Sequence, residues 1–241
     1  MFKKTFAVAG SLAAAVLAFS PLAQAGPLNS ITFNVTGWNA STPGSNINSS
    51  NQQALPTNPI MTAGNMFVTG TASGLPNWYV SGSTANTFAN FVGNGGHNGP
   101  GSGTSNVWNY VGSGSVSTVL SSGSFASASL FKLTFTLANN DSMMTIMHDD
   151  GVSLYNAMGQ VAPSSSQKPN SAYPTTPSWT TYDLNAGTYS LYYVEANGAP
   201  SQLTFQNVTE APEPGALALF GAGLLGCALF IGRRRRMSRS I

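Results

Sequence analysis

Short segments in which apolar and polar residues alternate run through this 241-residue chain, and they constrain its fold more than any other feature. The clearest is 131–137, which reads Phe-Lys-Leu-Thr-Phe-Thr-Leu, and similar alternation occurs at 31–35, 189–193 and 203–205. Successive side chains of a strand point to opposite faces, so this pattern predicts strands with one buried face. Long helical periodicity is absent. The chain is therefore predicted to be all-β, an antiparallel β-sandwich of jelly-roll type.

The pattern is uneven along the chain. Segments at about 40–65 and 93–105 are rich in turn residues and low in apolar content. Between them, 78–80 and 88–92 are predicted as strands. After Ser129 the alternation is more regular, and strands are predicted there.

The amino terminus has the three parts of a secretory signal peptide. Lys3 and Lys4 form a positive region, 6–19 is apolar, and Ala23 and Ala25 form an A-x-A cleavage site. Residues 1–25 are therefore predicted to be a signal helix that is removed, so that the mature chain begins at Gly26. The alternative is a first transmembrane helix, which the shortness of the apolar run disfavours.

The carboxyl terminus has a second apolar segment between two distinctive boundaries. Pro212, Glu213 and Pro214 precede an uninterrupted apolar run at 215–232, which as a helix spans about 27 Å, enough for a bilayer core. A basic cluster follows it, made of Arg233, Arg234, Arg235 and Arg236. Because arginine enters hydrocarbon at high cost, 215–232 is predicted to be a transmembrane helix with a cytoplasmic tail at 237–241.

Charge and cysteine usage restrict the function of the segment between these two signals. Residues 26–211 contain two lysines and six acidic residues, a net charge of −4, so the basic pI of the whole chain comes from its termini. Such a domain has no basic surface for nucleic acid. The single cysteine, Cys227, lies in the C-terminal apolar run, so a cysteine nucleophile or a Cys-ligated zinc site in the exported domain is excluded.

The C-terminal unit at 211–236 resembles the PEP-CTERM sorting signal. That resemblance implies recognition by an exosortase, transient anchoring in the inner membrane and removal of the tail near Pro212–Pro214. It further implies a final location at the cell surface or in an extracellular exopolysaccharide (biofilm) matrix. The alternative is a permanent single-span anchor.

A second resemblance concerns the middle of the exported domain, which spans 26–210. His148, Asp149, Asp150 and Gly151 follow two alternating segments, and a Gly-Thr-Tyr strand, an Asn/Gly-rich turn and a final strand come later. This order, over about 129–208, resembles the protective-antigen-like β-sandwich family, which includes flocculin-type adhesins and carbohydrate-binding modules.

In lectin members of that family, adjacent aspartates bind Ca²⁺ beside the sugar. The resemblance therefore implies Asp149 and Asp150 as Ca²⁺ ligands, with Asn197 a candidate from the opposite loop. An uncommon backbone geometry at Asp149-Asp150, including a cis peptide, would place both carboxylates on one side. Ca²⁺ takes six to eight oxygen ligands, and sugar hydroxyls can complete its shell. The alternative is a turn only, in which Asp caps free N–H groups and Gly151 supplies a positive φ.

Other chemistry has weaker sequence support. His97 and His148 are candidates for a metal or acid–base pair, and Asp150 with Glu195 for a glycosidase pair. No Gly-x-Ser-x-Gly elbow precedes a helix, so a hydrolase triad is unsupported. We therefore expect a non-enzymatic surface or matrix protein with calcium-dependent carbohydrate binding or adhesion, the alternative being a secreted polysaccharide hydrolase.

Overall fold

In the computed structural model, the alternating segments are strands of two antiparallel sheets. The structure describes residues 31–41, 50–82, 84–93, 105–122, 126–138, 142–166, 172–173 and 176–209. Residues 1–25, predicted to be a signal peptide, and residues 215–232, predicted to be a transmembrane helix, lie outside these ranges. Within them, no helix has the length and apolar character needed to cross a bilayer.

Twelve strands and three short helical segments make up the described chain. The strands are β1 (Thr32–Ser41), β2 (Met66–Ser73), β3 (Asn77–Val80), β4 (Ser105–Tyr110), β5 (Ser127–Leu137), β6 (Ser142–Asp149), β7 (Val152–Asn156), β8 (Gly159–Gln160), β9 (Ser165–Ser166), β10 (Ser178–Leu184), β11 (Gly187–Glu195) and β12 (Ser201–Thr209). The helix α1 spans Phe88–Gly93, and single 3-10 turns occur at Ser50–Gln52 and Ala63–Asn65.

The strands form a seven-stranded sheet, in the order β4-β2-β1-β5-β11-β7-β8, and a five-stranded sheet, in the order β3-β12-β6-β10-β9. The alternating residues behave as predicted. Phe131, Leu133 and Phe135 of β5 are buried, and so are Leu203 and Phe205 of β12. Apolar side chains from both sheets form one core between them, which confirms the predicted β-sandwich.

A second, smaller apolar cluster lies on the other side of the seven-stranded sheet. Trp38, Leu130 and Val194 form it with Ala54 and Ile60. The last two come from the turn-rich segment after β1, which therefore covers part of this sheet face.

One strand prediction is wrong. Residues 78–80 lie in strand β3, but 88–92 lie in the helix α1. Phe88 and Phe91, three positions apart, are both fully buried there. A spacing of three places both rings on one face of a helix, whereas a strand would send them to opposite faces.

Candidate functional site

Two turns cross between the sheets at the same end of the sandwich. The first, at 150–151, leads from β6 to β7, and the second, at 196–200, leads from β11 to β12. Asp149 is paired with Gln202 in the five-stranded sheet, and Val152 with Tyr193 in the seven-stranded sheet. The ends of the strands therefore hold the two turns side by side.

Hydrogen bonds join the two turns directly. Oδ2 of Asp150 accepts the backbone N–H of Ala196 at 2.7 Å and that of Asn197 at 3.2 Å. The Asp149-Asp150 peptide bond is cis. The predicted trio of Asp149, Asp150 and Asn197 is thus brought together, with Asn197 contacting Asp150 through its backbone.

The two aspartates are buried, at 2% exposure for Asp149 and 0% for Asp150. Burial raises the pKa of Asp149 to about 7, and a hydrogen bond with the Asp150 side chain lowers it in part. Burial also raises the pKa of Asp150 to about 9, helped by repulsion from Glu195 and opposed by the N–H of Ala196. Each side chain is therefore costly to ionise without a cation.

No basic side chain is placed to neutralise these groups in the described chain. Lys132 is its only lysine or arginine, and its ammonium group lies over the ring of Tyr192, 5.9 Å from the centroid. The buried Oδ1 of Asp149 also receives no hydrogen bond from any described residue. A buried carboxylate oxygen in this state favours either a proton or a bound cation.

Glu195, the last residue of β11, is a third buried acid beside these two. Its Oε1 accepts from the Ser121 hydroxyl at 2.5 Å and from the Asn86 amide at 3.0 Å, and its Oε2 lies 3.0 Å from the Tyr193 hydroxyl. Burial raises the pKa of Glu195 to about 8, although the hydrogen bonds from Ser121 and Tyr193 lower it in part. With 0% exposure and both oxygens bonded inside the protein, Glu195 is poorly placed for the glycosidase pairing with Asp150.

His148 supports the Asp149-Asp150 turn from within β6. Its Nδ1 lies 2.6 Å from the carbonyl oxygen of Asp150, and its Nε2 lies 2.9 Å from the Thr180 hydroxyl. Because a carbonyl can only accept, we assign the proton to Nδ1, so that Nε2 accepts from Thr180. Burial lowers the pKa of His148 to about 4, which keeps the ring neutral. The other candidate, His97, lies outside the described residues.

Gly151 has a different role from the one predicted. Positive φ angles occur at other glycines, including Gly198, but Gly151 is not among them. Instead, a Cβ at Gly151 would lie 2.6 Å from the carbonyl oxygen of Ala172 and 2.8 Å from that of Tyr173. Glycine is needed because another backbone segment passes close to the turn.

The sequence pattern does not identify two residues that contact this site from the amino-terminal half. Asn86 and Ser121 are buried polar residues with partners in the 195–201 segment. Single Asn and Ser residues in a chain rich in both give no local signal of such contacts. In the sequence, each simply precedes a regular element: Asn86 lies just before α1, and Ser121 lies shortly before β5.

The side chains at this site supply only part of the ligand set that a hard cation needs. Among the described residues, no group of three or more His, Cys, Asp or Glu side chains is arranged to hold a metal ion. The two adjacent carboxyl groups offer oxygen donors of the kind that Ca²⁺ takes, whereas the half-buried Asn197 contacts Asp150 through its backbone N–H. Carbonyl groups, water or ligand hydroxyls would have to complete a shell of six to eight.

Comparison with known protein families identifies the carboxyl terminus. Residues 210–236 match the PEP-CTERM protein-sorting motif. The match includes the Pro212–Pro214 tripeptide and the arginine cluster, and it confirms the predicted sorting signal. No curated protein is detectably similar in sequence to the chain.

Several solved structures are similar to parts of this chain at low sequence identity, and three of them illustrate the range. A PA14 sugar-binding domain from an RTX adhesin is 13% identical with a TM-score of 0.43, over 72% of this chain and 88% of that one. The PA14 domain of the antifreeze protein MpAFP is 14% identical with a TM-score of 0.38, over 76% and 85%. The GH31 alpha-xylosidase from Xanthomonas citri is 9% identical with a TM-score of 0.33, over 81% and 16%.

Proposed function

We propose that this chain is an exported, exosortase-processed protein of the cell surface or extracellular matrix, and that its β-sandwich binds carbohydrate through Ca²⁺. Asp149 and Asp150 would hold the ion, with Asn197 contributing from the neighbouring turn. When bound, Ca²⁺ would supply positive charge to the buried carboxylates and coordination positions for sugar hydroxyls.

The state of the two buried carboxyl groups carries this proposal. Asp149 and Asp150 are buried side by side, and Asp149 has an oxygen without a hydrogen bond. In the described chain, no lysine or arginine side chain lies beside them. The N–H groups of Ala196 and Asn197 satisfy one oxygen of Asp150 but leave Oδ1 of Asp149 without a hydrogen bond, and burial of an unpaired charge is unfavourable. A bound divalent cation removes that penalty.

The sorting motif supports the location. A protein directed to the cell exterior meets Ca²⁺ at concentrations that a site of modest affinity can use, since extracellular Ca²⁺ modules have dissociation constants of about 10⁻⁴–10⁻³ M. Exopolysaccharide at the same location is the carbohydrate that such a domain would contact.

Ca²⁺ titration and a glycan array test the proposal on the protein as its host exports it. After EDTA treatment and dialysis, calorimetry should detect Ca²⁺ binding with one site per chain. Glycan binding should appear with Ca²⁺ and be lost in EDTA. The double variant Asp149→Asn plus Asp150→Asn should lose both activities.

Asp183→Asn is the matched control, because Asp183 is an exposed acid on β10 of the same domain. It should bind Ca²⁺ and glycan as the unmodified protein does. Ca²⁺ binding that survives the double variant, or glycan binding that is indifferent to EDTA, would refute the assignment of the site.

A further inference from the structure

Glu195 is the centre of a buried network of five polar residues. It consists of Asn86, Ser121, Tyr193, Glu195 and Ser201, none of which is more than 9% exposed. Buried polar groups that are all hydrogen-bonded fix the relative positions of the segments they join. This network extends in two directions, and each leads to one of the turns at the candidate site.

The first direction leads to Asp149. The Tyr193 hydroxyl lies 3.0 Å from Oε2 of Glu195 and also contacts the carbonyl oxygen of Asp149. A hydroxyl group has one proton, so Tyr193 can donate to only one of these two oxygens. Glu195 therefore influences how Tyr193 holds the backbone at Asp149.

The second direction leads to the 196–200 turn. The Ser121 hydroxyl donates to Oε1 of Glu195 and accepts the backbone N–H of Gly198 at 2.9 Å. The Asn86 amide donates to the same Oε1 and accepts from the Ser201 hydroxyl at 3.0 Å. The middle of the turn and the first residue of β12 are thus tied to one carboxyl group.

The turn held in this way provides the two N–H groups that bind Asp150. Ala196 and Asn197 follow Glu195 directly, and Gly198 comes next. If the turn moved, Oδ2 of Asp150 would lose both of its backbone donors. The position of Asn197 would change with them.

We propose that Glu195 is a positioning residue for the Asp149-Asp150 site, a role that rests on the proposed Ca²⁺ binding. It acts through Tyr193 on the Asp149 backbone and through Ser121 and Asn86 on the turn that binds Asp150. It does not touch the ligand itself. The amino-terminal half thereby contributes to the site through Asn86 and Ser121.

Tyr193→Phe tests this role with a closely matched control, Tyr189→Phe. Both tyrosines lie on β11 four positions apart, both are buried, and each hydroxyl contacts a backbone carbonyl, that of Asp149 for Tyr193 and that of Asn185 for Tyr189. Only Tyr193 contacts Glu195. Tyr193→Phe should weaken Ca²⁺ binding of the exported protein roughly tenfold, whereas Tyr189→Phe should leave the dissociation constant unchanged.

Two variants of Glu195 separate positioning from a general structural role. Glu195→Gln should retain Ca²⁺ affinity, because an amide has an acceptor for Ser121 and Asn86 and its own protons for Tyr193. Glu195→Leu should lose it. Amide hydrogen exchange in the metal-free proteins adds a readout independent of Ca²⁺: exchange of residues 196–198 should accelerate in Tyr193→Phe while the rest of the domain keeps its protection.

The proposed function and the positioning role fail in different ways. No Ca²⁺ binding by the unmodified protein would refute the proposed function, and amide exchange would then decide whether Glu195 holds the turn. A folded Tyr193→Phe variant with unchanged Ca²⁺ affinity and unchanged exchange at 196–198 would refute the positioning role. So would equal effects of Tyr193→Phe and Tyr189→Phe.

Discussion

Oδ2 of Asp150 lies 2.7 Å from the backbone nitrogen of Ala196. This contact links the turn after β6 to the turn after β11, although the two residues are 46 positions apart in the chain. It gives Asp150 a structural role in addition to its proposed role as a Ca²⁺ ligand. The two roles can be measured separately.

Asp150→Ala should destabilise the metal-free domain by about 1–3 kcal/mol, because it leaves the buried N–H groups of Ala196 and Asn197 without their acceptor. Asp150→Asn should cost less, since the amide oxygen can still accept. Urea denaturation in EDTA measures both, and the exposed Asp183→Ala control should change stability by less than about 0.5 kcal/mol. Equal stability of Asp150→Ala and the unmodified domain would mean that this contact is not needed for folding.

The metal-free domain should lose stability as the pH rises from about 6.5 to about 9. Burial raises the pKa of Asp149, Glu195 and Asp150 to about 7, 8 and 9, whereas unfolded carboxyl groups titrate near about 4. A group with a raised folded-state pKa stabilises the fold below its unfolded pKa, and this contribution is lost as pH rises through the folded-state value. Each such group contributes up to roughly 1.4 kcal/mol per pH unit.

Urea denaturation at several pH values, in EDTA and in Ca²⁺, measures this effect. Below pH 6.5 the lowered pKa of His148 acts in the opposite direction, so the comparison begins there. Ca²⁺ should flatten the profile by replacing the protons. Stability in EDTA that rises across this range would contradict the buried, cation-free state of the three acids.

His148 should remain neutral down to about pH 5, because burial lowers its pKa to about 4. Its ring resonances in NMR spectra should show no titration between pH 8 and pH 5 and should report the tautomer with the proton on Nδ1. His148→Gln identifies the resonances. A midpoint near the ordinary histidine pKa of about 6.5 would show that the ring is accessible to water.

Gly151→Ala should destabilise the domain by about 1–3 kcal/mol, because the new Cβ would collide with the backbone carbonyls of Ala172 and Tyr173. Gly64→Ala is the matched control, since no atom lies within 4 Å of a Cβ at that position. Thermal unfolding of the two variants measures the difference. If Gly151→Ala unfolds at the same temperature as Gly64→Ala, the close approach does not constrain the turn.

Mass spectrometry of the exported protein tests the sorting signals. It should find a first residue of Gly26 and no peptide from the 215–232 segment, because the signal peptide and the sorting tail would both be removed. Deleting the exosortase of the producing cell should leave the tail attached. An intact C-terminal segment in the product of normal cells would favour a permanent anchor.

Strands with strict alternation could be predicted from the sequence because their burial is set locally. In β5, the buried residues Phe131, Leu133 and Phe135 are each followed by a polar residue, beginning with Lys132. β2 lacks this regular alternation because Gly70 interrupts it. Glycine is required at this position, since a Cβ would lie 2.1 Å from the carbonyl oxygen of Val107. The helix α1 is too short, at six residues, for periodicity to separate it from a strand.

The candidate site was predictable where it resembled a known pattern and not where it depends on tertiary contacts. Asp149 and Asp150 are adjacent and conspicuous in a chain with few charges. Ser121 and Asn86 contact Glu195 across 74 and 109 positions of sequence. No local rule reports on residues so far apart, and both are of common types in this chain.

Aromatic contacts in the core connect the candidate site to tryptophan fluorescence. The ring of Tyr193 stacks on that of Phe91, with centroids 5.7 Å apart, and Phe91 packs against Trp78 at 5.6 Å. The hydroxyl at the other end of Tyr193 contacts the Asp149 carbonyl. Excitation energy absorbed by this tyrosine can therefore pass to the buried indole of Trp78 on the far side of Phe91, so the tryptophan fluorescence of the domain is a natural, label-free probe of changes at the Asp149-Asp150 turn.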